Sequence, residues 1–196
     1  NRCTFNEFNY QINRVANSLL EAGIEKGDRI AVLDQNSIEY FCLYFASAKI
    51  GALLVPINFW YRPNEVAYVL TNCKPKLLFI GENYYKNINR EEINNIVEEI
   101  IVISNNQIKG MKNFSQFLNL TNSTGEPEVI TNWEEPHMIL YTSGTTGRPK
   151  GAVLSQKRTI MDAFSMSLSI RVKPTDKFIS FFPPFHVGLW DYAKLF

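Results

Sequence analysis

Apolar residues in the first half of the chain follow two kinds of pattern that alternate along the sequence. Helical spacing predicts four helices, which begin near Thr4, Ser37, Pro63 and Glu91, the last at residues 91–99. Short continuous apolar runs predict a buried strand after each helix, at residues 30–33, 52–57, 77–80 and 100–103. This alternation predicts an α/β fold with a doubly wound, mostly parallel sheet.

The hydrophobic pattern weakens between residues 109 and 135, where Asn, Ser, Thr, Gly and Pro accumulate. Such a composition is typical of a boundary between folded units. We therefore predict a first α/β subdomain at residues 1–120, a linker at 121–136 and the start of a second subdomain at 137–196. In the second unit the pattern predicts a helix at 156–169 and strands at 138–141, 152–154 and 177–182.

Charge and composition exclude several classes of function. The chain has 20 Lys and Arg against 19 Asp and Glu, and a net charge of +1 creates no field that would gather nucleic acid. The apolar runs around Lys49 are shorter than the roughly 20 residues that cross a bilayer, so we expect no transmembrane segment. The three cysteines, Cys3, Cys42 and Cys73, lack the paired spacing of zinc ligands, so we expect no metal site. We expect their thiols to be free or buried and the location of the protein to be cytoplasmic.

A loop rich in hydrogen-bond donors follows the strand predicted at 138–141. Residues 141–151 read YTSGTTGRPKG, with four Ser and Thr hydroxyls, three glycines and two cations. Hydroxyls and backbone amides donate to phosphate oxygens, and glycine lets the backbone approach them closely. Most polar loops are only connections between elements, but the order of residues in this one is specific. It is not a Walker loop, because Lys150 is followed by Gly151 and not by Ser or Thr. The loop therefore indicates a polyphosphate site of a different kind.

The same loop resembles the signature of the adenylate-forming, AMP-binding superfamily of acyl- and aryl-CoA synthetases, peptide-synthetase adenylation domains and luciferases. That signature is an apolar strand end, then Thr-Ser-Gly-Thr-Thr-Gly, any residue and Pro-Lys-Gly, and every position is filled here. Segments 4–33 and 48–80 also resemble the family, as does FFPPFHVGLW at 181–190. The chain is most similar to the N-terminal part of an acyl- or aryl-CoA synthetase, because the family's later nucleoside, hinge and lysine motifs do not occur in it.

The resemblance implies a reaction in which a carboxylic acid attacks ATP to form an acyl-adenylate, and CoA then takes the acyl group as a thioester. It implies Mg²⁺ as well, with ligands mostly outside this chain. It places His186 at the mouth of the acid pocket, although a lone histidine among aromatic residues is more often a packing residue. It implies catalytic roles for Lys150 and His186, and a phosphate cradle formed by Thr142, Ser143, Gly144, Thr145, Thr146, Gly147 and Lys150.

Two other interpretations stay open on the sequence. One is an aryl-acid adenylating enzyme that loads the pantetheine of a carrier protein, as in siderophore assembly. The other is a phosphate-binding or interaction module without chemistry of its own, and we expect the isolated 196 residues to be inactive. The family often has a second glycine where Leu189 and Trp190 stand, which leaves the shape of the acid pocket open.

Overall fold

A seven-stranded sheet forms the centre of the computed structural model, which describes residues 2–85, 88–104, 106–142, 148–173 and 175–193. The strands are β1 (Arg29–Leu33), β2 (Leu53–Pro56), β3 (Leu77–Gly81), β4 (Glu99–Ile103), β5 (Lys112–Asn113), β6 (Pro136–Thr142) and β7 (Lys150–Ser155). Their order is β5-β4-β3-β1-β2-β6-β7, and every pair is parallel except β6 with β7. The predicted α/β fold with a mostly parallel sheet is confirmed.

Local sequence signals explain where the helices begin and end. The helices are α1 (Phe5–Glu21), α2 (Ile38–Ile50), α3 (Pro63–Cys73), α4 (Arg90–Ile93), α5 (Phe114–Leu118), α6 (Gln156–Ile170) and α7 (Val187–Ala193). Helix α1 begins at a capping box in which Thr4 accepts from the Glu7 amide and the Glu7 carboxylate accepts from the Thr4 amide. Helix α2 ends at Gly51, whose φ of 70° is a left-handed conformation that glycine adopts without strain.

Alternate residues of the inner strands build two hydrophobic cores, one on each face of the sheet. Ile30 and Val32 of β1 belong to the core that α1 and α2 cover. Ala31 and Leu33 belong to the opposite core, which α3 covers. Because both faces are buried, these strands are apolar at successive positions, and this is why continuous runs predicted them correctly.

The sheet continues past the segment at 121–136. Strand β6 lies beside β2 with Met138 opposite Leu54, and β7 then returns antiparallel to β6. The strand that follows the predicted linker therefore extends the sheet formed by the strands before it. The division into two subdomains at this segment stays a proposal.

The strand predicted at 177–182 is wrong, because these residues have no regular secondary structure. A strand needs a hydrogen-bonded neighbour, and here the Asn36 side-chain amide donates to the carbonyl oxygen of Phe182 at 2.9 Å instead. The side chains of Ile179 and Phe181 are exposed, at 81% and 71%. The apolar run thus lies on the surface of the described chain.

The other differences concern short elements. The helix predicted at 91–99 is too long, because α4 ends at Ile93 and is followed by Asn94 and Asn95, which favour turns over helix interiors. Strand β5 and helices α5 and α7 were not predicted. The pattern missed them because two to seven residues are too few to establish a period.

Candidate functional site at the carboxyl edge of the sheet

The loops of interest share one edge of the sheet. Strands β1, β2 and β6 are parallel neighbours, so their carboxyl ends lie side by side. The segments that follow them are residues 34–37, residues 57–62 and the loop that begins after Thr142. Ligands of open α/β sheets bind at this edge, in the crevice outside the carboxyl ends of the strands.

The β6–β7 pair delivers both ends of the phosphate-binding loop to this edge. Thr142, the last residue of β6, pairs with Lys150, the first residue of β7, and both side chains are exposed. Among the residues that the structure describes, no carboxylate forms an ion pair with Lys150. The other predicted cradle residues, which lie outside the described residues, are Ser143, Gly144, Thr145, Thr146 and Gly147. The structure therefore brings together Thr142 and Lys150, the two ends of the predicted cradle.

Tyr141 joins the loop to helix α3. Its ring covers Gly151 on the neighbouring strand, where an added Cβ atom would lie 3.2 Å from the ring carbon Cζ. Its hydroxyl donates a hydrogen bond of 2.5 Å to Asn72 Oδ1 on α3. Removal of the phenol from solvent is the main cause that raises its pKa well above the usual value, so Tyr141 is a neutral donor at physiological pH.

Arg148 makes a second connection to the same helix. Its guanidinium carbon lies 5.7 Å from the centroid of the Tyr68 ring, which is within the range of a cation–π contact. Sequence reasoning missed Tyr68 and Asn72, because nothing in α3 itself indicates a partner in the loop. Only their spacing of four residues, which places them on one face of the helix, is visible in the sequence.

His186 is exposed just before α7. Its backbone amide donates to the Pro183 carbonyl oxygen at 3.0 Å, and its Nδ1 accepts from the Gly188 amide at 3.1 Å. An Nδ1 atom that accepts carries no proton, so in the neutral ring the proton is assigned to Nε2. His186 can therefore donate a hydrogen bond from Nε2 to a bound group.

A cavity of about 400 Å³ lies between the two proline residues before His186 and the loops at the same edge. It is lined by Gln35, Asn36, Phe59, Trp60, Phe181, Pro183 and Pro184. The ring of Phe185 contacts Phe59 and Trp60 at centroid distances of 5.1 and 5.3 Å. These contacts hold the segment that carries His186 on the edge where the phosphate-binding loop begins.

Asp34, directly after β1, is a titratable group that the sequence motifs do not mark. Burial is the largest influence on its carboxyl group and raises the pKa to about 6, against the opposing hydrogen bond from the Gln35 amide at 2.8 Å. A Cβ atom at Gly81, at the end of β3, would collide with this carboxyl group. Gly81 thus provides the space for a partly protonated acid at the edge of the sheet.

The second histidine and Trp190 are core residues. His137 is 1% exposed, with its Nε2 3.4 Å from the Tyr44 carbonyl oxygen. Trp190 is also 1% exposed, stacks on the Tyr44 ring at 3.9 Å and donates from Nε1 to the Pro184 carbonyl oxygen. Trp190 therefore holds α7 against α2.

Neither a metal-binding cluster nor a membrane-spanning helix occurs among the described residues. These residues contain no group of three or more His, Cys, Asp or Glu side chains that could hold a metal ion. Within the same ranges, no helix has both the length and the apolar character needed to cross a membrane.

Comparisons with known proteins agree with the motif. A family model described as AMP-binding enzyme matches residues 1–194. The long-chain-fatty-acid–CoA ligase FadD13 of Mycobacterium tuberculosis is 33% identical over 191 residues, which cover 95% of this chain and 36% of that protein. The crotonobetaine/carnitine–CoA ligase of Citrobacter koseri is 30% identical over 188 residues, which cover 94% of this chain and 36% of that protein.

A solved structure extends the likeness to the fold. The N-terminal domain of FACL13 from Mycobacterium tuberculosis superposes with a TM-score of 0.84 at 29% identity, over 100% of this chain and 48% of that one. The chain spans about a third of the length of the curated relatives it matches. The family match over nearly the whole sequence shows that the chain belongs to the family of AMP-binding enzymes.

Proposed function

We propose that this chain is the N-terminal part of an ATP-dependent carboxylic acid:CoA ligase, which forms an acyl-adenylate and then a thioester. One observation carries the proposal. The segment YTSGTTGRPKG begins and ends at the carboxyl edge of the sheet, where Thr142 and Lys150 are opposite each other on β6 and β7. A chain with a net charge of +1 needs such a local site to bind a polyphosphate.

In the adenylation step, the enzyme must stabilise the leaving group. A carboxylate oxygen attacks the α-phosphorus of ATP, the bond from that phosphorus to the β-phosphate bridging oxygen breaks, and pyrophosphate leaves with added negative charge. Donors fixed in advance around those oxygens stabilise the charge, and in other enzymes a single donor of this kind contributes about 3–4 kcal/mol. We assign this task to the seven predicted cradle residues, with Lys150 as the cation.

ATP binding is supported by the residues at the described ends of the loop, since Thr142 supplies a hydroxyl and Lys150 an ammonium group. We propose CoA as the acyl acceptor and Mg²⁺ as the companion of ATP, with its ligands mostly outside this chain. The described residues assemble no carboxylate cluster for a metal ion, and we assign none of the chain's residues to it. The cytoplasmic location also stays a prediction.

His186 is proposed to orient the acid. With Nδ1 occupied by the Gly188 amide, Nε2 is the atom that can donate to a carboxylate oxygen. This arrangement favours a role in binding the acid over a role as general base, because the carboxylate that attacks ATP is already ionised at neutral pH. The cavity beside Pro183 and Pro184 lies on the same edge and offers space near this donor.

The identity of the substrate acid is determined by an exchange assay. The two curated relatives are named for a long-chain fatty acid and for crotonobetaine or carnitine, which are chemically distant from each other. The enzyme that contains this chain should catalyse exchange of labelled pyrophosphate into ATP in the presence of its acid. The assay is run across fatty, aryl and small polar acids, and no exchange with any of them would contradict the proposal.

A second stage of the experiment identifies the acceptor. After adenylation, the enzyme receives either CoA or a carrier protein that bears pantetheine, and the thioester product is measured. Thioester formation with CoA is expected. Transfer to the carrier protein alone would replace the proposal with an enzyme that loads carrier proteins, and the 196-residue chain by itself should give no acyl-adenylate.

A further inference from the structure

We propose that Tyr68 and Asn72 of α3 are positioning residues, which hold the two ends of the phosphate-binding loop and thereby set the affinity for ATP. The inference rests on the proposed function of that loop. It concerns residues outside the signature, on a helix that contributes nothing to the loop sequence. The proposal is based on two contacts with the same face of α3. One is made by Tyr141, just before Thr142, and the other by Arg148, two residues before Lys150.

The first contact fixes the β6 end. The Tyr141 hydroxyl donates to Asn72 Oδ1 at 2.5 Å, while the Tyr141 ring lies against Gly151. An added Cβ atom at position 151 would lie 3.2 Å from Cζ of this ring and 2.9 Å from Cγ2 of Ile139, so both side chains would have to shift. Tyr141 is thus confined between β7 and α3, and Thr142 follows it directly.

The second contact fixes the β7 end. The Arg148 guanidinium lies over the Tyr68 ring at 5.7 Å, and Pro149 restricts the backbone between Arg148 and Lys150. Arg148 stands two residues before Lys150, so this contact fixes the chain close to the cation of the loop. Tyr68 and Asn72 stand four residues apart, one above the other on the helix surface.

Helix α3 is a suitable support for both ends. Its opposite side is anchored in a core by Val66, Val69 and Leu70, which are at most 1% exposed. Groups that are held in place before a ligand binds lose less freedom on binding, so contacts at the two described ends of the loop should favour binding of phosphate. The contacts at Tyr68 and Asn72 should accordingly strengthen ATP binding more than they stabilise the fold.

The test uses the full-length enzyme and two readouts, which are the dissociation constant of ATP by calorimetry and the KM values for ATP and acid in pyrophosphate exchange. Loss of one hydrogen bond or cation–π contact should weaken ATP binding about threefold to tenfold. Asn72→Ala and Tyr141→Phe should each show this loss, and the double variant should be no worse than either. The KM for the acid should stay within about twofold.

A conservative pair of substitutions separates positioning from packing. Tyr68→Phe keeps the aromatic face and should bind ATP as the wild type does. Tyr68→Leu keeps an apolar side chain but removes the face, and should weaken ATP binding. The exposed Tyr10 on α1 provides the control, Tyr10→Phe, which should change neither readout.

Three results would overturn the inference. These are an unchanged ATP affinity in the Asn72 and Tyr141 variants, equal losses for ATP and acid that follow a drop in melting temperature, or equal losses in both Tyr68 variants. The calorimetric readout needs no acid substrate. If ATP binding weakens as expected while no acid supports exchange, the proposed function fails and the positioning role stands.

Discussion

Lys49 of α2 forms an ion pair with Glu126, 77 positions later, with Nζ and Oε2 2.5 Å apart. Two asparagines of α1 complete the contact. Asn9 and Asn13 accept from the Lys49 ammonium group, and both donate to Oε1 of Glu126. One turn further, Asn17 donates to the Gly125 carbonyl oxygen at 3.0 Å. The segment predicted as a linker is therefore held against α1 by these hydrogen bonds.

The Glu126→Gln variant should lose the ion pair with Lys49 together with part of its acid sensitivity. The hydrogen bond from Lys49 is the main cause that lowers the pKa of Glu126 to about 2, from 4.5. A lowered pKa stabilises the folded chain above pH 4.5, and this contribution disappears as the pH falls toward 2. Because the carboxylate is largely exposed, we expect a loss of no more than about 1 kcal/mol at neutral pH, less at high salt.

The measurement is urea unfolding of the chain between pH 2 and pH 7. The control is Glu128→Gln, since Glu128 is exposed in the same segment, and it should keep the wild-type profile. Identical pH profiles for the wild type and Glu126→Gln would contradict a stabilising role for the pair.

Lys150→Ala should impair adenylation in the full-length enzyme. The ammonium group is the only cation of the signature after the variable position, and it faces Thr142 at the carboxyl edge. Loss of a preorganised charge at the leaving group should lower kcat/KM for ATP by about 100-fold or more. The matched control is Lys157→Ala, because Lys157 is paired with Glu134 and lies one residue into α6. Equal activities for the two variants would remove Lys150 from the cradle.

The parts that sequence predicted well are those with a local cause. Helix α1 follows from its own capping box and period, and β1 follows from its own apolar run. The loop was recognisable because its phosphate-binding residues are contiguous. The connection from Tyr141 to Asn72 spans 69 positions, and neither residue carries a local signal for the other. In the sequence, the asparagines of α1 are likewise ordinary polar positions. Their role is visible only in the folded chain, where the segment around Glu126 lies beside them.

The strand predicted at 177–182 shows the opposite failure. The local pattern of Ile179 and Phe181 favours a strand, but secondary structure in a sheet depends on a neighbour. In the described chain the Asn36 side chain takes the hydrogen bond of the Phe182 carbonyl oxygen. The cavity beside Pro183 was similarly beyond prediction, because it forms between loops that are about 120 to 150 positions apart in sequence.

Asp34→Asn should stabilise the chain above pH 6 and flatten its pH dependence. The pKa of about 6 in the folded chain exceeds the unfolded value of 3.8, so the folded form retains the proton more strongly. Stability therefore falls as the pH rises from about 4 to about 6 and is level above that range. Asparagine keeps an oxygen for the Gln35 amide without the charge, and after allowance for partial exposure we expect a gain of about 1 kcal/mol at pH 7.

Thermal unfolding at pH 4 and at pH 7 measures this effect. Asp34→Asn and the wild type should differ little at pH 4 and should separate at pH 7. The exposed Asp176, exchanged for Asn, provides the control. A variant that is less stable than the wild type at pH 7 would show that the Asp34 charge is favourable in the fold.

The outer face of α6 predicts how the 196-residue chain behaves by itself. Met161, Phe164 and Leu168 repeat at helical spacing and are 50%, 58% and 80% exposed. A contiguous apolar face on a monomer favours association, so the chain should bind a hydrophobic dye and self-associate at micromolar concentration. Leu168→Lys should reduce both dye fluorescence and sedimentation coefficient, because it places a charge at the most exposed of these three positions. Ile130→Lys is the control. Ile130 is 90% exposed but lies outside α6, so this variant tests whether removal of any exposed apolar side chain reduces association equally. Equal effects of the two substitutions would show that α6 is not the associating surface.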